Sequence, residues 1–216
     1  MEYAAARMNM VESQIRPNKV TDPAVIAAFL AVPRERFVPA ALKSVAYVDE
    51  DVPLGGGRYL VEPMVLGRML QFAAPRPTDL ALEIGSATGY GTAVLAKMAA
   101  TVVGIEPDAQ LVRVANENLT ALGVDNAAVL QGEFLAGCPA QAPFDVILFT
   151  GAVAAVPPAV EAQLAEGGRL VAVEIVDGVG RAVLLRRQGG MVSRRVIFDA
   201  ATPLLPGTGR KPAFVF

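Results

Sequence analysis

Leu80-Ala81-Leu82-Glu83-Ile84-Gly85-Ser86-Ala87-Thr88-Gly89-Tyr90 reads as a short apolar strand with an acid near its end, followed by a glycine-bearing turn. A helix is predicted next, over 92–99, which makes the segment a strand-turn-helix unit. The unit recurs at once. Thr101-Val102-Val103-Gly104-Ile105 is rich in β-branched residues, and 108–122 carries Leu111, Val112, Ala115, Leu119 and Leu122 at helical spacing before Gly123 stops it. Further strands are predicted over 128–131, 145–149 and 169–175, with a helix around 158–164 between the last two. Strands alternating with helices imply a parallel sheet covered on both faces. The end differs, because the runs 181–187 and 191–198 flank Gln188-Gly189-Gly190 and read as a hairpin. Before the deciding stretch, Thr21-Asp22-Pro23 caps a helix that Pro33 ends, and a second proline-led helix starts at Pro63. The expected fold class is α/β: a Rossmann-like, doubly wound, mostly parallel sheet with an antiparallel C-terminal hairpin and an N-terminal helical section.

Composition removes several alternatives. A 216-residue chain that is 53% apolar buries a substantial core and fits one domain. Its longest uncharged apolar stretch, 146–160, is too short to span a membrane and contains Pro157 and Pro158. No secretory signal is visible after Met1-Glu2-Tyr3, so a cytoplasmic protein is expected. Cys138 stands alone, which excludes an intrachain disulfide and a Cys-rich zinc site; a small, semi-buried side chain is expected there. The chain has no histidine, so Ser/His/Asp and Cys/His catalysis and any imidazole base are excluded. A net charge of −2 gives no footprint for nucleic acid, and the arginines at 181, 186, 187, 194 and 195 are expected on exposed strand faces.

The chemistry is expected at the strand ends. In a doubly wound sheet the turn Gly85-Ser86-Ala87-Thr88-Gly89 lies at the C-terminal edge, where glycine lets a ligand approach the backbone. An ordinary tight turn would need the same glycines. The spacing fails the dinucleotide fingerprint, since Ala87 and Tyr90 replace its second and third glycines. Glu106-Pro107 ends the next strand, where a carboxylate can accept both hydroxyls of a ribose. Gly132-Glu133, after the third, offers an acceptor for an adenine amino group. Three acids on successive strand ends, Glu83, Glu106 and Glu133, suit S-adenosylmethionine (SAM). After the fourth strand comes Thr150-Gly151-Ala152 rather than an Asn/Asp-Pro-Pro-aromatic motif, which argues against methylation of a DNA base.

From about Met8 to Gly207 the chain resembles the protein-L-isoaspartate O-methyltransferase family. The matching pieces are Val32-Pro33-Arg34-Glu35-Arg36-Phe37-Val38-Pro39, Ala46-Tyr47-Val48-Asp49, Pro63-Met64-Val65-Leu66-Gly67-Arg68-Met69, the run 82–96, the run 142–147, and Gln163-Leu164 with Gly167-Gly168-Arg169-Leu170-Val171. The resemblance implies a class I SAM-dependent methyltransferase fold. It also implies methyl transfer to the carboxylate of isoaspartyl residues in damaged proteins, with Glu83 serving the amino-acid end of SAM and Leu60 beside the cofactor. Such a transfer needs no histidine, because a carboxylate is already nucleophilic.

One loop departs from the family. Where the family reads Gly-Gln-Thr-Ile-Ser-Gln-Pro, this chain has Gly57-Arg58-Tyr59-Leu60-Val61-Glu62-Pro63. Val61, at the serine position, cannot donate a hydrogen bond to the acceptor, and Glu62 adds a like charge. Arg58 and Tyr59 are the compensating candidates. The single domain divides into a helical and substrate-loop section (1–78), a SAM-binding core (79–175) and C-terminal strands with a tail (176–216). The apolar end, Ala213-Phe214-Val215-Phe216, is expected as an edge strand. Two alternatives stay open: a different small acceptor, or a non-catalytic SAM-binding protein on the same scaffold.

Overall fold

The structure, a computed structural model, describes residues 2–209; the tail segment 213–216 lies outside them. Helix α1 (Tyr3–Met10) continues through irregular helical turns to Asn18 and stops where Lys19 takes a φ of +67°. Helix α2 (Pro23–Ala31) starts as its sequence predicts, with Pro23 in the first position and Asp22 Oδ1 accepting from the Ala24 amide at 2.8 Å. A two-stranded antiparallel ribbon follows, β1 (Val52–Gly55) and β2 (Arg58–Leu60), leading into α3 (Pro63–Ala73).

The main sheet is built from β3 (Leu80–Ile84), β4 (Thr101–Glu106), β5 (Ala127–Gln131), β6 (Phe144–Val153), β7 (Leu164–Val176), β8 (Val179–Gln188) and β9 (Met191–Asp199), in the order β5-β4-β3-β6-β7-β8-β9. The first five are parallel and the last two pairings antiparallel. Helices α4 (Tyr90–Ala96) and α5 (Ala109–Ala121) complete the first two strand-turn-helix units. Asp108 caps α5 by accepting from the Gln110 and Leu111 amides.

Period-two alternation divides the apolar residues between the two faces. Val146, Leu148, Val171 and Val173 join one buried cluster with Phe29 of α2, Leu66 of α3, Val94 of α4 and Leu119 of α5. Ile147, Phe149, Leu170 and Ala172 join another, covered by Phe134, Val160 and Leu205. Both faces are buried, so the strands read as nearly continuous apolar runs.

The predicted helix at 158–164 shrinks to one turn, α6 (Pro158–Glu161), and Leu164 already begins β7. The cause is local: the Phe144 amide donates to Gln163 O at 2.8 Å, drawing the chain into the sheet immediately after the turn. The expected strand 145–149 runs on to Val153, because Ala152 and Val153 are as buried as the residues before them. Both C-terminal turns use two consecutive positive φ angles, Asp177-Gly178 and Gly189-Gly190, the pattern that matches hairpin twist. Asp-Gly is a recognised hairpin signal, so the β7–β8 turn was as readable as the second.

Candidate functional site

Strand β3 has β4 on one side and β6 on the other, so the chain order reverses there and a crevice opens at the strand ends. The turn after β3 fills that crevice. Gly85 has a φ of +92° and Gly89 of +91°, and the amides of Gly85 and Ser86 both donate to Ile105 O. Ala87 also takes a left-handed φ, +47°, and its amide donates to Glu106 Oε2 at 2.9 Å. The Thr88 hydroxyl donates to Phe37 O at 2.6 Å, tying the proline-framed Phe37 segment to the turn. Phe37 and Phe29 pack edge-on against the Tyr90 ring.

Glu83 faces α4, away from the Leu82 and Ile84 side of the sheet. Its Oε2 accepts from the Thr92 hydroxyl, while Oε1 has no hydrogen-bond partner. Burial pushes its carboxyl above the usual carboxylate range, against the Thr92 hydrogen bond. Gly91 makes room for it: a Cβ there would overlap Glu83 Oε1. Ser86 Oγ and the Tyr90 hydroxyl are buried and unpartnered in the same place. These groups, with Tyr59, Val61, Leu66 and Thr150, enclose a cavity of about 10 Å³.

Glu106 is equally buried, and the side chain beside it is Arg58. The guanidinium donates to Glu106 Oε2 from two nitrogens, at 3.2 and 3.1 Å, and to Gly85 O at 2.7 Å. It also lies 5.1 Å from the centre of the Phe134 ring. Arg58, expected on the acceptor side, is therefore placed against Glu106 and the turn after β3. Pro107 holds the strand exit, its carbonyl accepting from Gln131 Nε2 at 3.1 Å. Gly132 donates to Glu106 O at 3.2 Å, but the Glu133 side chain is exposed and Phe134 takes the inward place after β5.

The rest of the loop is pinned from beneath. Arg34 is wholly buried and donates to Ala46 O at 2.7 Å and Val61 O at 2.9 Å, with a longer contact to Leu60 O at 3.4 Å. Val61 and Leu60 are buried, whereas Tyr59 is half-buried. Glu62 has its carboxyl pushed up to about 7 by burial and by the neighbouring Asp51, Asp49 and Glu50. Sequence reasoning missed Thr150, whose hydroxyl donates to Gly85 O at 2.8 Å, and Leu205, whose side chain covers Gly85 and Gly151. Nothing in the segment 201–204 signals that the next residue seals the turn. A roomier cleft of about 370 Å³ opens on the far side of Thr88, between Phe37, Leu54, Gly56, Asp108 and Asn118.

Residues 5–199 match the protein family described as protein-L-isoaspartate(D-aspartate) O-methyltransferase. A protein-L-isoaspartate O-methyltransferase of Koribacter versatilis is 38% identical over 212 residues, 98% of this chain and 96% of its own. One from Methylorubrum extorquens is 40% identical over 210 residues, 96% of this chain and 92% of its own. Among solved structures, a protein-L-isoaspartate O-methyltransferase superimposes with a TM-score of 0.82 at 25% identity, covering 94% of this chain and 66% of that one. A beta-aspartate methyltransferase from Plasmodium falciparum, solved with S-adenosyl-L-homocysteine, shares the fold with a TM-score of 0.79 at 21% identity, over 94% of this chain and 97% of its own. With a family match over nearly the whole chain and relatives near 40% identity at full length, the chain belongs to the protein-L-isoaspartate(D-aspartate) O-methyltransferase family.

Proposed function

We propose that this protein transfers the methyl group of SAM to the carboxylate of isoaspartyl residues in damaged proteins. The observation that carries the reading is the pair of buried carboxylates, Glu83 and Glu106, on adjacent strand ends around one glycine turn. The donor set suits the cofactor. Glu83 Oε1 and Ser86 Oγ are buried without partners, and an ammonium with its neighbouring carboxylate supplies what each lacks. Glu106 would hold the ribose hydroxyls, the backbone of 85–89 would line the chain of the cofactor, and Leu60 would pack beside it. Glu133, exposed here, is the acid assigned to the adenine amino group.

SAM, when bound, supplies a methyl group on a positively charged sulfur. The protein's part is placement: an acceptor carboxylate needs no base, and holding it in line is worth up to about 7–11 kcal/mol in favourable systems. Arg34 fixes the Leu60 and Val61 carbonyls, so the loop presents a set backbone to the acceptor. Val61 offers that acceptor no donor and Arg58 is bound to Glu106 and Gly85, which leaves the Tyr59 hydroxyl as the loop's candidate donor. The acidic surroundings of Glu62 favour the second reading, a small uncharged or cationic acceptor.

No helix among the described residues is long and apolar enough to cross a membrane. A buried cluster that runs from Met10 to Ala200 supports reading the chain as one domain. The deciding experiment measures labelled methyl transfer from SAM to an isoaspartyl peptide and to its aspartyl isomer. Transfer to the isoaspartyl peptide alone, raised in Val61→Ser, is expected. If the protein binds SAM but methylates neither peptide, even with serine restored, the acceptor is a different molecule.

A further inference from the structure

The Arg58 guanidinium lies inside the cofactor cradle rather than at its mouth. It bonds Glu106 Oε2 through two nitrogens and Gly85 O through one, and it rests on the Phe134 ring. A planar group that donates to this acid and lies against an aromatic face offers the contacts that a ribose and its base would offer. We propose that Arg58 is an internal competitor for the ribose position, and that SAM enters only as the β1–β2 hairpin carries Arg58 away. The proposal rests on the cofactor reading above.

Three further features support it. The cavity around Glu83 and Ser86 measures about 10 Å³, room for about one water, and the gap between Arg58, Tyr59, Thr150 and Leu204 measures about 0 Å³. Arg58 itself occupies both the acid and the aromatic face, so a ribose and base that take the same two contacts must displace it. The hairpin tip is also unpacked, since no atom lies within 4 Å of a Cβ placed at Gly55 or Gly56, so no contact of the tip itself opposes its displacement. Finally, Leu54, Gly55 and Gly56 border the 370 Å³ cleft, which gives the hairpin space to enter. Arg58 and Glu106 are both buried, so separating them is costly unless another donor takes the acid, and ribose hydroxyls are such donors. The apparent affinity for SAM is then lowered by the fraction of molecules whose Arg58 is released.

The test titrates S-adenosylhomocysteine calorimetrically into the full chain and into Arg58→Gln, and follows amide exchange across residues 52–60 of the parent with and without that ligand. Arg58→Gln is expected to bind about tenfold more tightly or better, corresponding to a released fraction of about 10% or less in the parent. In the parent, ligand is expected to speed exchange at the hairpin. Should Arg58→Gln fail to fold, the exchange measurement decides alone. Equal affinity in the two proteins, or slower hairpin exchange with ligand, overturns the competitor and leaves the cofactor reading standing. Absence of binding by both overturns both.

Discussion

The role proposed for Glu83 links cofactor binding to a proton. Burial favours the neutral carboxyl, whereas a cation set against the unpartnered Oε1 favours the ionised one. Binding the ammonium end of S-adenosylhomocysteine should therefore release a proton, and affinity should climb with pH over the range in which Glu83 holds it. Calorimetry in buffers of different ionisation heat should find this release in the parent and lose it in Glu83→Gln. Glu62 yields a stability prediction of the same kind. Its folded value of about 7 lies above the ordinary 4.5, so between those values the folded state holds a proton that the unfolded state has lost. The stability present below pH 4.5 should thus decline as the pH rises toward 7, and urea midpoints of Glu62→Gln should lack that decline. Positions such as Glu83 and Glu106 were legible because a strand end fixes where its next side chain goes. The direction of Arg58 was not, since a loop residue with a long side chain can serve either side of the crevice. Glu133 lies beyond the end of β5, exposed, with Phe134 taking the inward place.

Among the elements, α4 depends most on one small residue. Replacing a helical glycine by alanine ordinarily stabilises a protein by about 1 kcal/mol. At Gly91 the sign should reverse, because the added Cβ would overlap Glu83 Oε1 and sit 3.1 Å from Thr150 Cγ2. Gly91→Ala should lower unfolding free energy by about 1–3 kcal/mol, as overpacked sites do, and weaken S-adenosylhomocysteine binding as Glu83 is pushed aside. A stabilised variant with unchanged affinity would refute this packing of helix against acid. The helix was expected over 92–99 and runs over Tyr90–Ala96, so its presence was legible but not its start ahead of Gly91; the alternating strands and the proline-led starts at Pro23 and Pro63 were legible too. The β1–β2 ribbon was not, because Val52-Pro53-Leu54 shows no clean alternation and its two-residue turn, Gly56-Gly57, is hidden in a run of three glycines. Its pairing is short, and only its place beside Glu106 gives it consequence.

Across the whole molecule, the proposed cofactor cradle and the structural fastening occupy opposite edges of the sheet. The cradle lies at the C-terminal ends of β3 and β4, while Arg169 works near their N-terminal ends. Its guanidinium donates to Ala73 O at 2.9 Å and Ala74 O at 2.6 Å at the end of α3, to Asp145 O at 3.2 Å on β6, and to Asp79 Oδ2 at 2.6 Å just before β3. One side chain thus joins the N-terminal helical section to three strands of the core. The pair with Asp79 is nearly dry, so removing the arginine leaves a buried carboxylate and three carbonyls without their donor. Arg169→Met, which keeps most of the apolar stem, should cost about 3–5 kcal/mol of stability, the usual penalty for breaking a buried ion pair from one side. Adding Asp79→Asn should recover part of that loss, since the orphaned charge goes with it. Below the lowered melting transition, both variants should bind S-adenosylhomocysteine like the parent, because no Arg169 contact reaches Glu83, Glu106 or Gly85. Weakened binding in the folded variants would mean that the two edges are mechanically coupled through β3, and that fastening and binding are not separate.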